Sequence, residues 1–357
     1  MSRSPEFDAK RSCLAAWLAE RDSDAVLLAS PPNLYWLALG GEVRQPTSIS
    51  SGFAVTADRC WLLCPADDAE RLRQEEVRGL GLEIVPLEWQ EPDALVQCAR
   101  ELLPEDTRWR CDLPGLGLEY DASVHALRQT LLPEEVERLR RLGHDAAGAL
   151  EEVAAECFRG ILERDAAARL AAECIRRQIA PVSILSGADE RVASYPRPLP
   201  KSGAAEHVLL LSLVGMRGGL HVALSRIICL ASPRQEFLER FAQTLEASAR
   251  LSHETRAGEV LGAVMERVLP SLLEGTRSLG GLVGYRFPEV EARPGSDLRL
   301  AASQAMTWSL SGRGVRCEDT FLINDTSNEL LTLTDGWPRR RVQIDGRSCE
   351  LPDLLLL

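Results

Sequence analysis

The stretch His207–Leu230, HVLLLSLVGMRGGLHVALSRIICL, decides the fold. Two apolar runs flank a turn at Met216 to Gly219, which reads as a β-hairpin. Side chains alternate along a strand. His221, Ala223 and Ser225 therefore share one face, and Leu220, Val222 and Leu224 share the other. Ser212 is the one polar interruption of the first run and lies eleven positions before Ala223.

Around this hairpin the chain after about residue 131 reads as α+β. LLPEEVERLRRL opens a long helix running to about Phe158, with a proline and two acids in its first turn. A second helix covers about Glu163 to Gln178. Strand signals dominate the rest: SILSGA, the hairpin, QAMTWSLS and GVRCEDTFLIND. Helices at about Pro233 to Leu251 and Ala257 to Leu273 interrupt them. Residues 1–130 alternate helix and strand, as a small α/β domain does. There, 11–21 is a helix, DAVLLAS a strand, SPPNLYWL a punctuated loop and SGFAVTADRCWLLCP two strands about a turn. A helix of alternating charge, the strand LEIVPL and the helix DALVQCARELL follow. The expected domains are therefore 1–130 and 131–357.

Composition narrows the function. The 357 residues are 45% hydrophobic and 26% charged, an ordinary globular balance. The net charge of −12 argues against nucleic acid and anionic membrane as partners, which call for basic patches. No run of eighteen apolar residues occurs, so no membrane span is expected, and the polar start MSRSPEFDAK shows no secretory signal. The ten cysteines form no zinc-type pairs, since Cys60 and Cys64 lack a second pair and the five histidines supply none. Reduced thiols in a cytoplasmic protein are the expectation.

The order and spacing of these segments resemble the creatinase, aminopeptidase P and prolidase superfamily. Its C-terminal domain is the pita-bread fold, an antiparallel sheet with outer helices, behind a creatinase-type α/β domain. In the metal-dependent members this hairpin carries two metal-binding aspartates eleven residues apart, turn glycines, and an arginine three residues after the second aspartate. Gly218, Gly219 and Arg226 match that pattern, but the aspartate positions hold Ser212 and Ala223. The resemblance places a ligand histidine at Gly281, a second histidine at Pro288, a ligand glutamate near Leu310 and the last ligand at Glu318. Tyr195, in SYPRP, stands where a substrate-side histidine is found. Glu318 is thus the one ligand of five that survives, too few for a two-metal clamp. The sequence also resembles a bacterial branch with a GG-x-x-GY-x-x-x-E stretch, then QA, a tryptophan and EDT. Gly280, Gly281, Gly284, Tyr285, Glu289, Gln304, Ala305, Trp308, Glu318, Asp319 and Thr320 fit it.

What the resemblance implies is a metal-independent enzyme with no cofactor. It would use acid–base chemistry on a small amino-acid-like, guanidino or amidino molecule. Creatinase and ectoine hydrolase set that precedent within the fold. Glu318, His221 and Glu289 are the candidate catalytic groups, converging within ~3 Å of a common point. Arg316, which shares a strand face with Glu318, would steady it. Arg316, Arg226 or Arg197 would meet a substrate carboxylate, and Tyr195, Tyr285 and Trp308 would line the pocket. A serine nucleophile at Ser212 is disfavoured, because such residues sit on exposed turns. The rival is a catalytically dead member serving as a ligand- or protein-binding module, as relatives in chromatin factors do, with Ser212, Ala223, Gly281 and Leu310 packed shut. Relatives with this layout are commonly homodimers. The loop from Leu34 to Gln45, with its exposed-looking apolar residues beside Arg44, is the expected interface.

Overall fold

The structure is a computed structural model that describes residues 4–44, 50–88, 93–272 and 274–357. The chain divides into two units, Met1–Gln129 and Thr130–Leu357.

In the first unit α1 (Pro5–Glu20) precedes β1 (Ala25–Leu28), α2 (Pro31–Leu37), β2 (Gly52–Thr56) and β3 (Cys60–Pro65). A short α3 (Ala69–Arg71), β4 (Glu83–Leu87), α4 (Ala94–Glu101), β5 (Trp109–Cys111) and β6 (Glu119–Tyr120) complete it. The sheet order is β4-β3-β2-β1-β5-β6. Two expectations need correction. The charged stretch after β3 forms only α3 and one π turn, Leu72–Glu76. SPPNLYWL is a helix, because prolines occupy its first turn and Asp112 accepts the Ala29 amide at 2.7 Å and the Asn33 amide group at 2.7 Å. This arrangement buries Leu34, Tyr35, Trp36 and Leu37, which looked exposed in the sequence, while Leu39 to Glu42 and Arg44 are half-buried. Gln45 lies outside the described residues.

The second unit opens with α5 (Pro133–Ala155) and α6 (Glu163–Arg176), then β7 (Ala180–Ala188), α7 (Glu190–Ser194), β8 (Val208–Arg217) and β9 (Leu220–Cys229). Next come α8 (Gln235–Glu254), α9 (Leu261–Val268), β10 (Arg277–Val283), β11 (Val290–Glu291), β12 (Ala305–Gly312), β13 (Val315–Leu322) and β14 (Glu329–Leu330). A separate hairpin, β15 (Arg339–Ile344) with β16 (Arg347–Pro352), precedes the short β17 (Leu355–Leu356). The main sheet runs β11-β10-β12-β13-β9-β8-β7. The helix expected to end at Leu273 stops at Val268 and tightens into a 3₁₀ turn; Leu273 itself is outside the described residues.

The hairpin of β8 and β9 forms as its alternation requires. Gly218 and Gly219 both take positive φ, 54° and 79°, as a two-residue hairpin turn demands. Every residue of β9 is buried, each large aliphatic side chain contributing roughly 1.5–3 kcal/mol. α5 packs across β8 and β9, while α8 covers β12 and β13, and α9 packs on α8 and joins the same core. Under α8 and α9 the core contains Leu251, Val264, Met306, Trp308, Leu310 and Phe321. Alternation then puts Thr307, Ser309, Arg316 and Glu318 on the opposite face of that sheet.

Candidate functional site

That opposite face lines a cavity of about 510 Å³ inside the second unit. One row of the sheet forms its floor. Ser309 on β12 pairs with Glu318 on β13, Glu318 with Ser225 on β9, and Ser225 with Ser212 on β8. Val182, Leu185, Val214, Leu279 and Phe287 supply apolar walls, and Arg197 stands in the lining as well.

Glu318 is 4% exposed and fully engaged. Its Oε2 accepts from Ser225 Oγ at 2.6 Å and from Ser212 Oγ at 3.0 Å. Arg316, also buried, donates through Nη2 to both carboxylate oxygens, at 3.1 and 3.0 Å. Burial pushes the Glu318 carboxyl up, but the Arg316 charge and the two serine hydroxyls outweigh it and hold the carboxyl below its ordinary value. A carboxylate so held is a weak proton acceptor and has no proton to give near neutrality. Arg316 in turn donates to the Pro196 carbonyl at 2.9 Å.

The other expected catalytic groups do not join Glu318. His221 lies outside the cavity lining, where its Nδ1 donates to the Gly284 carbonyl at 3.1 Å. Its ring stacks on Phe287, which does line the cavity, with centroids 6.4 Å apart. Burial lowers the His221 pKa, so the ring is held neutral. Glu289 is absent from the lining, and its neighbour Glu291 takes that place. Pairing of Gly281 with Glu291 across β10 and β11 sets which carboxylate faces the cavity.

Four of the expected binding residues are used elsewhere. Tyr285 is buried, with its hydroxyl donating to Glu135 Oε1 on α5 at 2.7 Å. Trp308 faces α8, donating from Nε1 to Thr255 Oγ1 at 3.0 Å. Arg226 is a buried partner of Asp319 at 2.9 Å, so its guanidinium is spent on the fold. Tyr195 is half exposed, under the Arg191 guanidinium, and outside this cavity. Arg316 does reach the lining, but as the ion partner of Glu318. The EDT triplet is therefore divided among three structural tasks. Glu318 faces the cavity, Asp319 holds Arg226, and Thr320 Oγ1 both accepts from the Ala223 amide and donates to its carbonyl.

Sequence reasoning missed Ser225, Thr307 and Ser309. A signal existed in TWSLS, residues 307–311, where hydroxyls alternate with large apolar residues. Leu310, where the resemblance put a ligand glutamate, belongs to the core, and its neighbour Ser309 is the residue that lines the cavity. The Ser309 hydroxyl is buried and has no hydrogen-bond partner among the described residues.

This fold, with a hairpin-centred sheet, outer helices and a cavity on the uncovered face, defines a pita-bread domain behind a creatinase-type α/β domain. The sequence model of metallopeptidase family M24 matches residues 137–325, and the creatinase/prolidase N-terminal domain matches residues 10–145. The chain belongs to metallopeptidase family M24. Among curated proteins no match to the sequence is found. Among solved structures, the prolidase from Pyrococcus horikoshii OT3 is similar at a TM-score of 0.76 and 17% identity, over 92% of this chain and 99% of that one. The Xaa-Pro dipeptidase from Bacillus anthracis is similar at 0.76 and 17%, over 98% and 100%. The N-terminal domain of the FACT complex subunit SPT16 from Cicer arietinum is similar at 0.67 and 16%, over 92% and 96%.

The family's name implies a metal, and the residues here do not fit one. Divalent ions in such sites need several carboxylate or imidazole donors. Ser212, Ala223, Gly281 and Ser309 offer none, and the Arg316 cation sits on the Glu318 carboxylate that remains. A side chain at Gly281 would also place its Cβ 2.3 Å from the Val290 carbonyl oxygen. Among the described residues no group of three His, Cys, Asp or Glu is placed to hold a metal.

Proposed function

We propose that this protein uses the family's cavity as a binding site for a small molecule and does not perform metal-dependent hydrolysis there. The observation that carries this reading is the occupation of Glu318. Two serine hydroxyls and a buried guanidinium take up the carboxylate that would otherwise be a ligand or a base. The cavity is nonetheless open, about 510 Å³, within the size range of small-molecule sites. The open cavity departs from the expectation that a catalytically dead member would have Ser212, Ala223, Gly281 and Leu310 packed shut, so the binding reading here is of a small-molecule pocket rather than a closed scaffold.

Membership of a peptidase family supports a second reading, a metal-independent hydrolase working through side chains. It requires a general base in the cavity, and His221 and Glu289 do not reach it. Two of the similar structures are a prolidase and an Xaa-Pro dipeptidase, so proline-containing dipeptides are the discriminating substrates. Purified protein incubated with a panel of Xaa-Pro dipeptides, with and without added Mn²⁺, Co²⁺ or Zn²⁺, should release no proline above a no-protein blank. Proline release that Glu318→Gln abolishes would overturn the binding reading.

A further inference from the structure

The charges in the cavity select its ligand. Glu318 is neutralised by Arg316 within the floor. Glu291 is paired with Arg293, whose Nε donates to it at 3.0 Å. Arg197 is the remaining charge in the lining, and it makes no ion pair or hydrogen bond among the described residues. Its backbone is nevertheless pinned on both sides. The Pro196 carbonyl accepts from Arg316 Nη1 at 2.9 Å, and the Pro198 carbonyl accepts from the Ser186 amide at 3.0 Å. Further along, Arg191 Nη2 donates to the Leu199 carbonyl at 2.8 Å. The buried Glu163 holds that arginine at 2.8 Å and the Lys201 amide at 2.9 Å.

A guanidinium on a fixed backbone, exposed and unpaired, is presented rather than stored. The same lining carries apolar walls, with Val182 and Leu279 half exposed and Phe287 beside them in the lining. At the floor the buried Ser309 hydroxyl lacks a partner among the described residues, and an unmade buried hydrogen bond is unfavourable.

We propose that the cavity binds a small amphipathic carboxylic acid, its carboxylate on Arg197, its apolar body between Val182, Leu279 and Phe287, and a polar end toward Ser309. This rests on the reading of the cavity as a binding site and adds the class of ligand. One guanidinium matches a carboxylate through two parallel hydrogen bonds. A phosphate dianion would call for a second unpaired cation, and the other arginine of the lining, Arg316, is taken by Glu318. A cationic ligand would need a free carboxylate, and both in the lining are paired.

The test uses matched probes that differ only in the polar head: phenylpropanoate, phenylpropanamide, phenylpropylamine and phenylpropyl phosphate. Calorimetric titration of the full chain should show the carboxylate binding at least about tenfold more tightly than the amide, as a charge-assisted bond adds, with the amine and the phosphate weaker than the carboxylate. Arg197→Ala should bring the carboxylate down to the amide's affinity, and Arg197→Lys should restore part of the difference. Arg197 is exposed, so neither change threatens folding. Val182→Trp, at a half-exposed wall position, should weaken every probe. Probes that bind without charge preference, or that favour the amine or the phosphate, and yet lose affinity in Val182→Trp would overturn the ligand class and leave the binding site standing. Failure of all probes to bind, or binding indifferent to Val182→Trp, would overturn both.

Discussion

Replacing Glu318 with glutamine tests whether the cavity floor is an ion pair first and a reactive group second. The carboxylate is 4% exposed and Arg316 is 7% exposed, so water screens neither. Glutamine keeps one oxygen for Ser212 and Ser225 but turns an amide toward the guanidinium. Removing one partner of a buried pair costs about 3–5 kcal/mol, because the other charge stays behind uncompensated. For a domain of 150–250 residues that is a fall in Tm of about 6–20 °C, at ~2–4 °C per kcal/mol. The double variant Arg316→Met with Glu318→Leu removes both charges and should recover most of the loss, giving a large coupling in the double-mutant cycle. Acid should erase the difference. The folded-state pKa of Glu318 lies below its ordinary 4.5, so the stability it contributes is present above that pH and is lost as pH falls through the folded value. Urea melts at pH 7 and in the acid range, on parent and variants, measure all three effects. A Glu318→Gln variant within about 1 kcal/mol of the parent at pH 7, the size of an exposed pair's contribution, would refute the reasoning.

Three further outcomes follow from the same geometry. The imidazole of His221 should titrate below its ordinary 6.5, because burial disfavours the cation; stability should then fall as pH drops below that value, and an NMR midpoint at or above 6.5 would show a solvated ring. Gly281→Ala should destabilise by about 1–3 kcal/mol in denaturant melts, since the new Cβ meets the Val290 carbonyl at 2.3 Å and β11 must move; a neutral change would mean that β11 yields freely. Tyr285→Phe removes the hydroxyl held by Glu135 and should cost about 1–3 kcal/mol while leaving probe affinity unchanged; weaker probe binding would return Tyr285 to the site.

The hairpin was legible because two apolar runs about paired glycines admit few other folds, whereas the pairing of Ser212 with Ser225 across it is seen only in the structure. The family followed from the order of segments around it. What the sequence hid was the facing of single residues. Tyr285, Trp308 and Arg226 carry side chains suited to a pocket, and each instead satisfies a buried partner reached from a distant segment: Glu135, Thr255 and Asp319. No local pattern announces such long-range pairing. On β12 the expected Leu310 faces the core while Ser309 beside it faces the cavity, since strand periodicity puts adjacent residues on opposite faces. His221 stays out of the cavity for a different reason: it shares a strand face with Ser225, but its ring stacks on Phe287, and Phe287 is the one that lines the cavity.

The central claim is that Glu318 is held by Arg316 and two serines in a floor that cannot also hold a metal. Calorimetric titration of the full chain at neutral pH with Mn²⁺, Co²⁺ and Zn²⁺, beside Glu318→Gln, measures this directly. The account predicts no saturable site in the parent that the substitution removes. Tight uptake of one or two ions per chain, lost in Glu318→Gln, would contradict it.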